Sequence, residues 1–192
     1  YWGDGNDTIY AFAEDPTDDD ASPNWIYGQG GDDLIFGGAG DDYIEGGAGS
    51  DTIYGGAGND TIYAYSADPD GDDASPNWIY GGDGNDTIYG GDGDDYIEGG
   101  AGSDTIYGGA GNDTIYAYSA DPTGGDASPN FIFGGDGDDL IFGGDGDDYI
   151  EGGAGSDTIY GGAGDDEIYA FSADPDGDDA SPNWIYGGAG DD

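Results

Sequence analysis

The sequence contains no lysine, arginine, histidine, cysteine or methionine, and it also lacks valine. Without cysteine and histidine the chain cannot form a disulfide framework, a thiolate nucleophile, a zinc finger or an imidazole base. Without a cationic side chain it cannot clamp a phosphate, so we expect no nucleic-acid partner. No apolar run approaches the roughly 18 residues that span a bilayer, and no signal peptide is visible, so we expect no membrane insertion.

The sequence is instead rich in acidic residues and glycine, with 45 of each among 192 residues and a formal net charge of −45. High charge with few aliphatic residues normally indicates disorder. The order of the residues overrides that expectation, because nine-residue units recur along the chain. Residues 37–63 read GGAGDDYIE, GGAGSDTIY and GGAGNDTIY in direct succession, and such self-similarity indicates a solenoid.

Twelve full nonapeptides occur in groups of four, and a 17-residue segment of a second kind separates the groups. One such segment reads AYSADPDGDDASPNWIY at 64–80, and four nonapeptides plus one segment give a period of 53 residues. The periods run 28–80, 81–133 and 134–186, with partial units at 1–27 and 187–192. We interpret residues 1–192 as a single continuous solenoid and expect it to be a window of a longer array.

Each nonapeptide divides into a turn and a short strand. The GGxGxD half has the glycines that tight turns require, and the other half has an isoleucine between β-favouring residues in period-2 alternation. Isoleucine therefore points inward and its neighbours point outward. Two such strands per coil, stacked at the ~4.8 Å spacing of paired strands, predict an all-β parallel β-roll or β-solenoid. Rows of acidic turns would repel one another, so a cation must lie between them.

The pattern GGxGxDxUx, as in GGAGNDTIY at 55–63, resembles the calcium-binding nonapeptide of the repeats-in-toxin (RTX) family. The resemblance implies a β-roll in which multiple Ca²⁺ ions lie between the turns of successive coils, bound by the sixth-position aspartate and by backbone carbonyls. Oxygen-only ligands also suit Ca²⁺ independently of the family. The implied ligands are Asp7, Asp33, Asp42, Asp51, Asp60, Asp86, Asp95, Asp104, Asp113, Asp139, Asp148, Asp157, Asp166 and Asp192. Trp2 and Gln29 depart from the glycine pattern in the first two turns.

Calcium binding would have consequences for folding and for location. About one ion per nonapeptide would remove roughly half of the charge, so folding should be coupled to metal binding. Sites of this kind need calcium at the ~10⁻⁴–10⁻³ M typical of extracellular modules, which predicts an extracellular or cell-surface protein. The acidic pairs all lie in repeated turns and no unique residue interrupts the pattern, so we expect no enzyme.

The 17-residue segment allows two interpretations. Its tail, DDASPNWIY, aligns with a nonapeptide that has Asn77 at the aspartate position, which makes the segment one atypical coil and gives three coils per period. We favour this interpretation. Alternatively, one strand lengthens and turns through DPDGDD into a single returning strand, so that successive segments emerge on alternate sides. DPDGDD resembles an open calcium loop weakly, and a capped turn at Asp68 and Asp73, or Asp121 and Asp126, is the simpler account.

The outward-facing aromatic residues indicate what kind of partner the protein could bind. Tyrosine follows the inward isoleucine in most units, and Trp25, Trp78 and Trp184 recur once per period. Stacked coils would align these residues in ladders, which either pack within the chain or offer a surface for self-association or for carbohydrate. We predict a calcium-dependent structural repeat protein of a secreted or cell-surface fibre, filament or adhesin stalk. The alternatives are an RTX calcium-folding module of a toxin or secreted enzyme, and a sugar-binding surface module.

Overall fold

The computed structural model describes residues 3–11, 22–65, 74–118, 126–171 and 181–192, which form seventeen β-strands. The strands are β1 (Thr8–Tyr10), β2 (Trp25–Gly30), β3 (Leu34–Ala39), β4 (Tyr43–Ala48), β5 (Thr52–Ala57), β6 (Thr61–Tyr65), β7 (Trp78–Asp83), β8 (Thr87–Asp92), β9 (Tyr96–Ala101), β10 (Thr105–Ala110), β11 (Thr114–Tyr116), β12 (Phe131–Asp136), β13 (Leu140–Asp145), β14 (Tyr149–Ala154), β15 (Thr158–Ala163), β16 (Glu167–Tyr169) and β17 (Trp184–Ala189). Within these five stretches no helix is long and apolar enough to cross a membrane.

Consecutive strands alternate between two parallel sheets. The odd-numbered strands form a nine-stranded sheet and the even-numbered strands form an eight-stranded sheet, each in chain order. A strand therefore pairs with the strand two places later, so that Ile35 lies opposite Ile53 and Ile44 lies opposite Ile62. The predicted parallel β-roll is confirmed, with two strands and two turns in each coil.

The core between the sheets consists almost entirely of one isoleucine per strand. The strand isoleucines from Ile35 to Ile159 are 0% exposed, while their neighbours along each strand face outward. This alternation confirms the inward position predicted from the period-2 pattern. Full burial of such a side chain contributes about 1.5–3 kcal/mol. Because each strand contributes only one such side chain, interactions in the turns at both edges are also needed to hold successive coils together.

Each 17-residue segment contributes a single strand, so the interpretation as an atypical coil is wrong. In residues 64–80, β6 continues to Tyr65 in the eight-stranded sheet, and the chain enters the nine-stranded sheet with β7. The reason is register, because Ile79 of β7 pairs with Ile53 of β5 and places β7 directly after β5 in the nine-stranded sheet. Each period thus supplies five strands, such as β3 to β7, and successive segments leave the roll at opposite edges.

The acidic stretch of the segments lies largely outside the described residues, including Asp68, Asp73 and Asp121. Asp126 is described, and its carboxylate accepts hydrogen bonds from the Ser128 hydroxyl and the Gly102 N–H, both at 2.6 Å. At this position the structure agrees with a capped turn that leads into β12.

A column of aromatic rings runs along the outer face of each sheet. Where the rings stack, as Tyr54 and Tyr80 do, their centroids are 4.7 Å apart and their planes differ by 6°. At β9 the third strand position is Glu98, and Tyr96 of the first position continues the column towards Tyr116. The column of the nine-stranded sheet comprises Tyr10, Phe36, Tyr54, Tyr80, Tyr96, Tyr116, Phe142, Tyr160 and Tyr186. The column of the eight-stranded sheet comprises Tyr27, Tyr43, Tyr63, Tyr89, Tyr107, Phe133, Tyr149 and Tyr169.

Candidate metal centre

The turns between strands take their shape from the glycines at the second and fourth positions of the nonapeptides. In the unit 46–54, Gly47 and Gly49 have φ values of 119° and 120°, which L-residues rarely adopt. A Cβ on Gly49 would also lie 2.5 Å from the carbonyl oxygen of Gly31 in the preceding coil. Gln29 stands at a second-glycine position with a φ of 85°, and Asp33 in the same turn is nevertheless buried like its counterparts.

The sixth-position side chains form two hydrogen-bonded ladders, one at each edge of the roll. In each step Oδ1 accepts the backbone N–H of the sixth-position residue one coil earlier, as Asp60 does from Asp42 at 2.8 Å. Ladder I consists of Asp7, Asp33, Asp51, Asn77, Asp95, Asp113, Asp139, Asp157 and Asn183. Ladder II consists of Asn24, Asp42, Asp60, Asp86, Asp104, Asn130, Asp148, Asp166 and Asp192. All the predicted ligands thus lie on these ladders, although Asp192 is exposed.

The second carboxylate oxygen, Oδ2, points into the turn, where it is buried and accepts no hydrogen bond from any described group. These orphaned oxygens belong to Asp7, Asp33, Asp42, Asp60, Asp86, Asp95, Asp104, Asp113, Asp139, Asp148 and Asp166. Except for Asp7, whose unit has Trp2 in place of the first glycine, each faces the first glycine of its own unit. A Cβ on Gly90 would lie 2.5 Å from Asp95 Oδ2 and 2.5 Å from the carbonyl oxygen of Gly108 in the next coil. Two oxygens therefore converge on a space that the missing side chain leaves open.

A comparison with protein-family profiles matches this repeated turn. The profile described as RTX calcium-binding nonapeptide repeat (four copies) matches residues 3–15, 19–44, 36–68, 72–106, 89–121, 124–159, 142–170 and 177–192, which together cover most of the chain. The chain belongs to the RTX calcium-binding repeat family. A comparison with individual curated proteins found no match. RTX repeats bind calcium, are typical of secreted proteins and are structural rather than typically catalytic.

The donor atoms of the RTX turns fit calcium. The converging atoms are a carboxylate oxygen and a backbone carbonyl oxygen, and hard cations such as Ca²⁺ prefer such ligands. Among the described residues no three acidic side chains gather around one point, so backbone carbonyls such as that of Gly108 have to share the coordination. A buried carboxylate oxygen without a donor is costly, and a bound cation would compensate it.

Burial also raises the pKa of the ladder carboxyl groups. Burial, together with repulsion from Asp86, raises the pKa of Asp104 to about 8. Burial, together with repulsion from Asp113 and Asp157, raises the pKa of Asp139 to about 8. The pKa values of Asp95 and Asp148 rise to about 7, again chiefly because of burial. A bound dication favours the ionised carboxylate and reverses these shifts. A calcium ion bound at these carboxylates would therefore compete with protons for the same oxygens.

The fifth-position side chains form a further ladder, which is exposed and which the sequence analysis does not anticipate. Its direction is opposite, because Asn59 Oδ1 accepts the N–H of Asn85 in the next coil at 2.8 Å. In the segments this position is proline, as in Pro76, which has no N–H to donate. One coil earlier the position is serine in every period, at Ser50, Ser103 and Ser156. This constant serine was the sequence signal from which the exposed ladder could have been predicted.

Proposed function

We propose that the protein is a calcium-dependent structural rod of a secreted or cell-surface fibre, filament or adhesin stalk. The observation that carries the proposal is the pair of ladders of buried carboxylates, whose Oδ2 atoms face carbonyl oxygens of the next coil through the described roll. An ion at each such position would join one coil to the next at both edges. The stack would then resist bending and separation of its coils.

Calcium would act as the switch between an expanded chain and the rod. Without the ion, carboxylates of adjacent coils repel each other at the ~4.8 Å strand spacing, and the single-layer isoleucine core opposes 45 negative charges. Calcium at the ~10⁻⁴–10⁻³ M typical of extracellular modules would fold the chain after export. This order of events suits a protein that must cross a membrane unfolded and become rigid outside.

Lateral contact between copies would use the sheet faces. The first three positions of the strands contain only four acidic residues, Glu45, Glu98, Glu151 and Glu167, whereas the aspartates concentrate in the turns and at strand ends. Large aromatic side chains stand out from the faces once per period. Their exposed fractions are 76% for Trp25, 46% for Trp78, 51% for Phe131 and 53% for Trp184. A second copy of the chain offers a face of the same low charge.

The aromatic columns themselves support carbohydrate binding poorly. Sugars stack on aromatic faces, and in a stacked pair such as Tyr89 and Tyr107, 4.8 Å apart and 3° from parallel, each ring covers a face of the other. The columns therefore present ring edges to the solvent. The exposed residues Trp25, Trp78, Phe131 and Trp184 are the places at which the sugar-binding alternative can be tested.

Electron microscopy and analytical ultracentrifugation, in millimolar calcium and again in excess chelator, test the proposal. We expect filaments or laterally associated rods in calcium and expanded monomers in chelator. Short separate rods in calcium would overturn the fibre for this region and support a stalk or a secretion module. A circular dichroism spectrum unchanged by chelator would overturn calcium-coupled folding.

A surface variant separates association from folding. Replacing Trp25, Trp78, Phe131 and Trp184 with threonine removes the protruding aromatics. Threonine is the residue that a strand paired with Trp78, Phe131 or Trp184 already has at this position. We expect loss of lateral association with calcium-induced folding intact. Replacing Leu34 and Leu140 with threonine is the matched control and should alter neither. Association that survives in the first variant would show that the contact lies elsewhere, and a loss of saturable glycan binding would support the sugar-binding alternative.

A further inference from the structure

The four segment turns differ from the regular RTX turns at two positions at once. The first glycine of the unit is replaced by alanine, and the sixth-position aspartate is replaced by asparagine. The pairs are Ala11 with Asn24, Ala64 with Asn77, Ala117 with Asn130, and Ala170 with Asn183. Both replacements fall on groups that line the space between the orphaned oxygens and the carbonyls.

The alanine methyl group occupies the position that is open in the regular turns. Because Ile62 pairs with both Ile44 and Ile88, Ala64 lies in register between Gly46 and Gly90. At Gly90 the Cβ position is where Asp95 Oδ2 and the Gly108 carbonyl converge. Ala64 and Ala117 are 0% exposed and belong to the isoleucine core. At Ala64 and Ala117 a methyl group therefore stands where the regular turns have an open space.

The asparagine keeps the hydrogen bond of the ladder and changes the group that faces the space. Asn130 Oδ1 accepts the Asp104 N–H at 2.9 Å, as an aspartate would. Its Nδ2 stands in place of Oδ2 and donates to the Ser128 carbonyl and to Asp148 Oδ1, both at 3.2 Å. Asn24 repeats this arrangement with Ser22 and Asp42. An N–H donor repels a cation that an orphaned oxygen would attract.

The sites next to the segment turns keep their oxygens. A Cβ on Gly99 would lie 2.5 Å from Asp104 Oδ2 and 2.7 Å from the carbonyl oxygen of Ala117. Ala117 thus still presents its carbonyl to the preceding coil, although its own Cβ position carries a methyl group. The loss of a potential cation site is therefore confined to one ladder position per segment.

We propose that the ladder positions of Asn24, Asn77, Asn130 and Asn183 bind no cation and are joints that divide each ladder into runs of four calcium sites. One complete run is Asp42, Asp60, Asp86 and Asp104 on ladder II, and the other is Asp95, Asp113, Asp139 and Asp157 on ladder I. The joints alternate between the two edges, as the segments do. This inference rests on calcium binding by the regular turns and not on filament formation.

Restoring a regular turn provides the test. The double variant Ala64→Gly with Asn77→Asp rebuilds both replaced groups on ladder I, and Ala117→Gly with Asn130→Asp does the same on ladder II. Bound calcium is counted by equilibrium dialysis with atomic absorption and by native mass spectrometry of the full chain. We expect one additional ion for each rebuilt turn, and two when both turns are rebuilt. Asn77→Asp alone should add none, because the methyl group of Ala64 remains.

Asn59→Asp is the matched control, since it adds a carboxylate at an exposed fifth position and should leave the ion count unchanged. Unchanged counts in both double variants, with folding in calcium verified by circular dichroism, would overturn the proposal. An extra ion in Asn77→Asp alone would overturn the role of the methyl group. A wild-type chain that binds no calcium would instead refute the proposed function, so the two failures are distinguishable.

Discussion

The regular turns and the segment turns build the same coil geometry from different chemistry. In a regular turn such as that of Asp104, one carboxylate oxygen holds the neighbouring coil by a hydrogen bond and the other faces a carbonyl oxygen across an open space. In the turn of Asn130 the hydrogen bond persists, and a methyl and an amide group close the space. In the comparison, the sixth-position side chain has two separable tasks, the hydrogen bond that sets register between coils and the proposed binding of a cation.

The largest effect should come from pH acting on the calcium-free protein. The folded-state pKa of Asp104 and Asp139 is about 8, against 3.8 for an ordinary aspartate, so between these values the folded chain retains protons that the unfolded chain has released. Stability is then present at low pH and is lost as the pH rises towards 8. We expect the dialysed, calcium-free chain to gain β-structure by circular dichroism between pH 8 and pH 5.

Calcium should reverse this dependence, because protons displace the ion from the regular turns. At limiting calcium, the midpoint of calcium-induced folding should move to higher calcium concentration as the pH falls from 8 to 5. The side-chain amides of Asn24, Asn77, Asn130 and Asn183 do not titrate and contribute to neither trend. A calcium midpoint independent of pH would contradict the assignment of the ladder carboxylates as ligands.

Closing a regular turn with a methyl group should have the next largest effect. In Gly99→Ala the new Cβ would lie 2.5 Å from Asp104 Oδ2 and 3.1 Å from Ile106 Cδ1, so the variant combines overpacking with a lost ion beside a buried charge. We expect a loss of about 3 kcal/mol in the free energy of unfolding in calcium. Ala117→Gly, at the neighbouring segment position, should cost no more than about 1 kcal/mol. Chemical denaturation of both variants in calcium measures the two losses in the free energy of unfolding. Equal losses would contradict the proposed difference between regular and segment turns.

Removing the charge while keeping the hydrogen bond should have a smaller effect. Asp104→Asn converts only one of the two groups, and the amide oxygen can still accept the Asp86 N–H. We expect one calcium ion fewer and a stability loss of about 1–2 kcal/mol in calcium, with a gain in the calcium-free state, where a buried charge disappears. Asp94→Asn, at an exposed fifth position, is the control and should leave the ion count unchanged.

The smallest effect concerns the exposed ladder. Asn59→Ala removes the acceptor of the Asn85 N–H and should cost about 0.5–1 kcal/mol. Ser50→Ala faces a coil with Pro76 at the corresponding position and should be neutral within error. Thermal unfolding in saturating calcium compares them. A similar cost for both would show that the serine before each segment has another role.

Much of the fold follows from the sequence because the repeat imposes it. The inward isoleucine, the two-stranded coil and the parallel stacking all follow from the nine-residue period, and the sixth-position aspartates fall on two ladders for the same reason. The segment was misinterpreted because its length is close to two nonapeptides. Pairing settles its strand count, since Ile79 has to lie opposite Ile53. The sequence does not show which units become neighbours in space. The pairing of strands places β5, whose unit contains Ser50, and β9, whose unit ends in DYIE, on either side of β7.

Because each period supplies an odd number of strands, the number of periods that precede a strand decides to which of the two sheets it belongs. Adding or deleting one 53-residue period shifts every later strand by five places in the alternation, so each would change sheets and each later joint would move to the other edge. Duplicating two periods restores the original arrangement and lengthens the roll by five coils, about 24 Å at the ~4.8 Å spacing. Variants that gain or lose whole periods are therefore of two kinds. An even number of periods leaves every later strand in its original sheet, and an odd number moves every later strand to the other sheet.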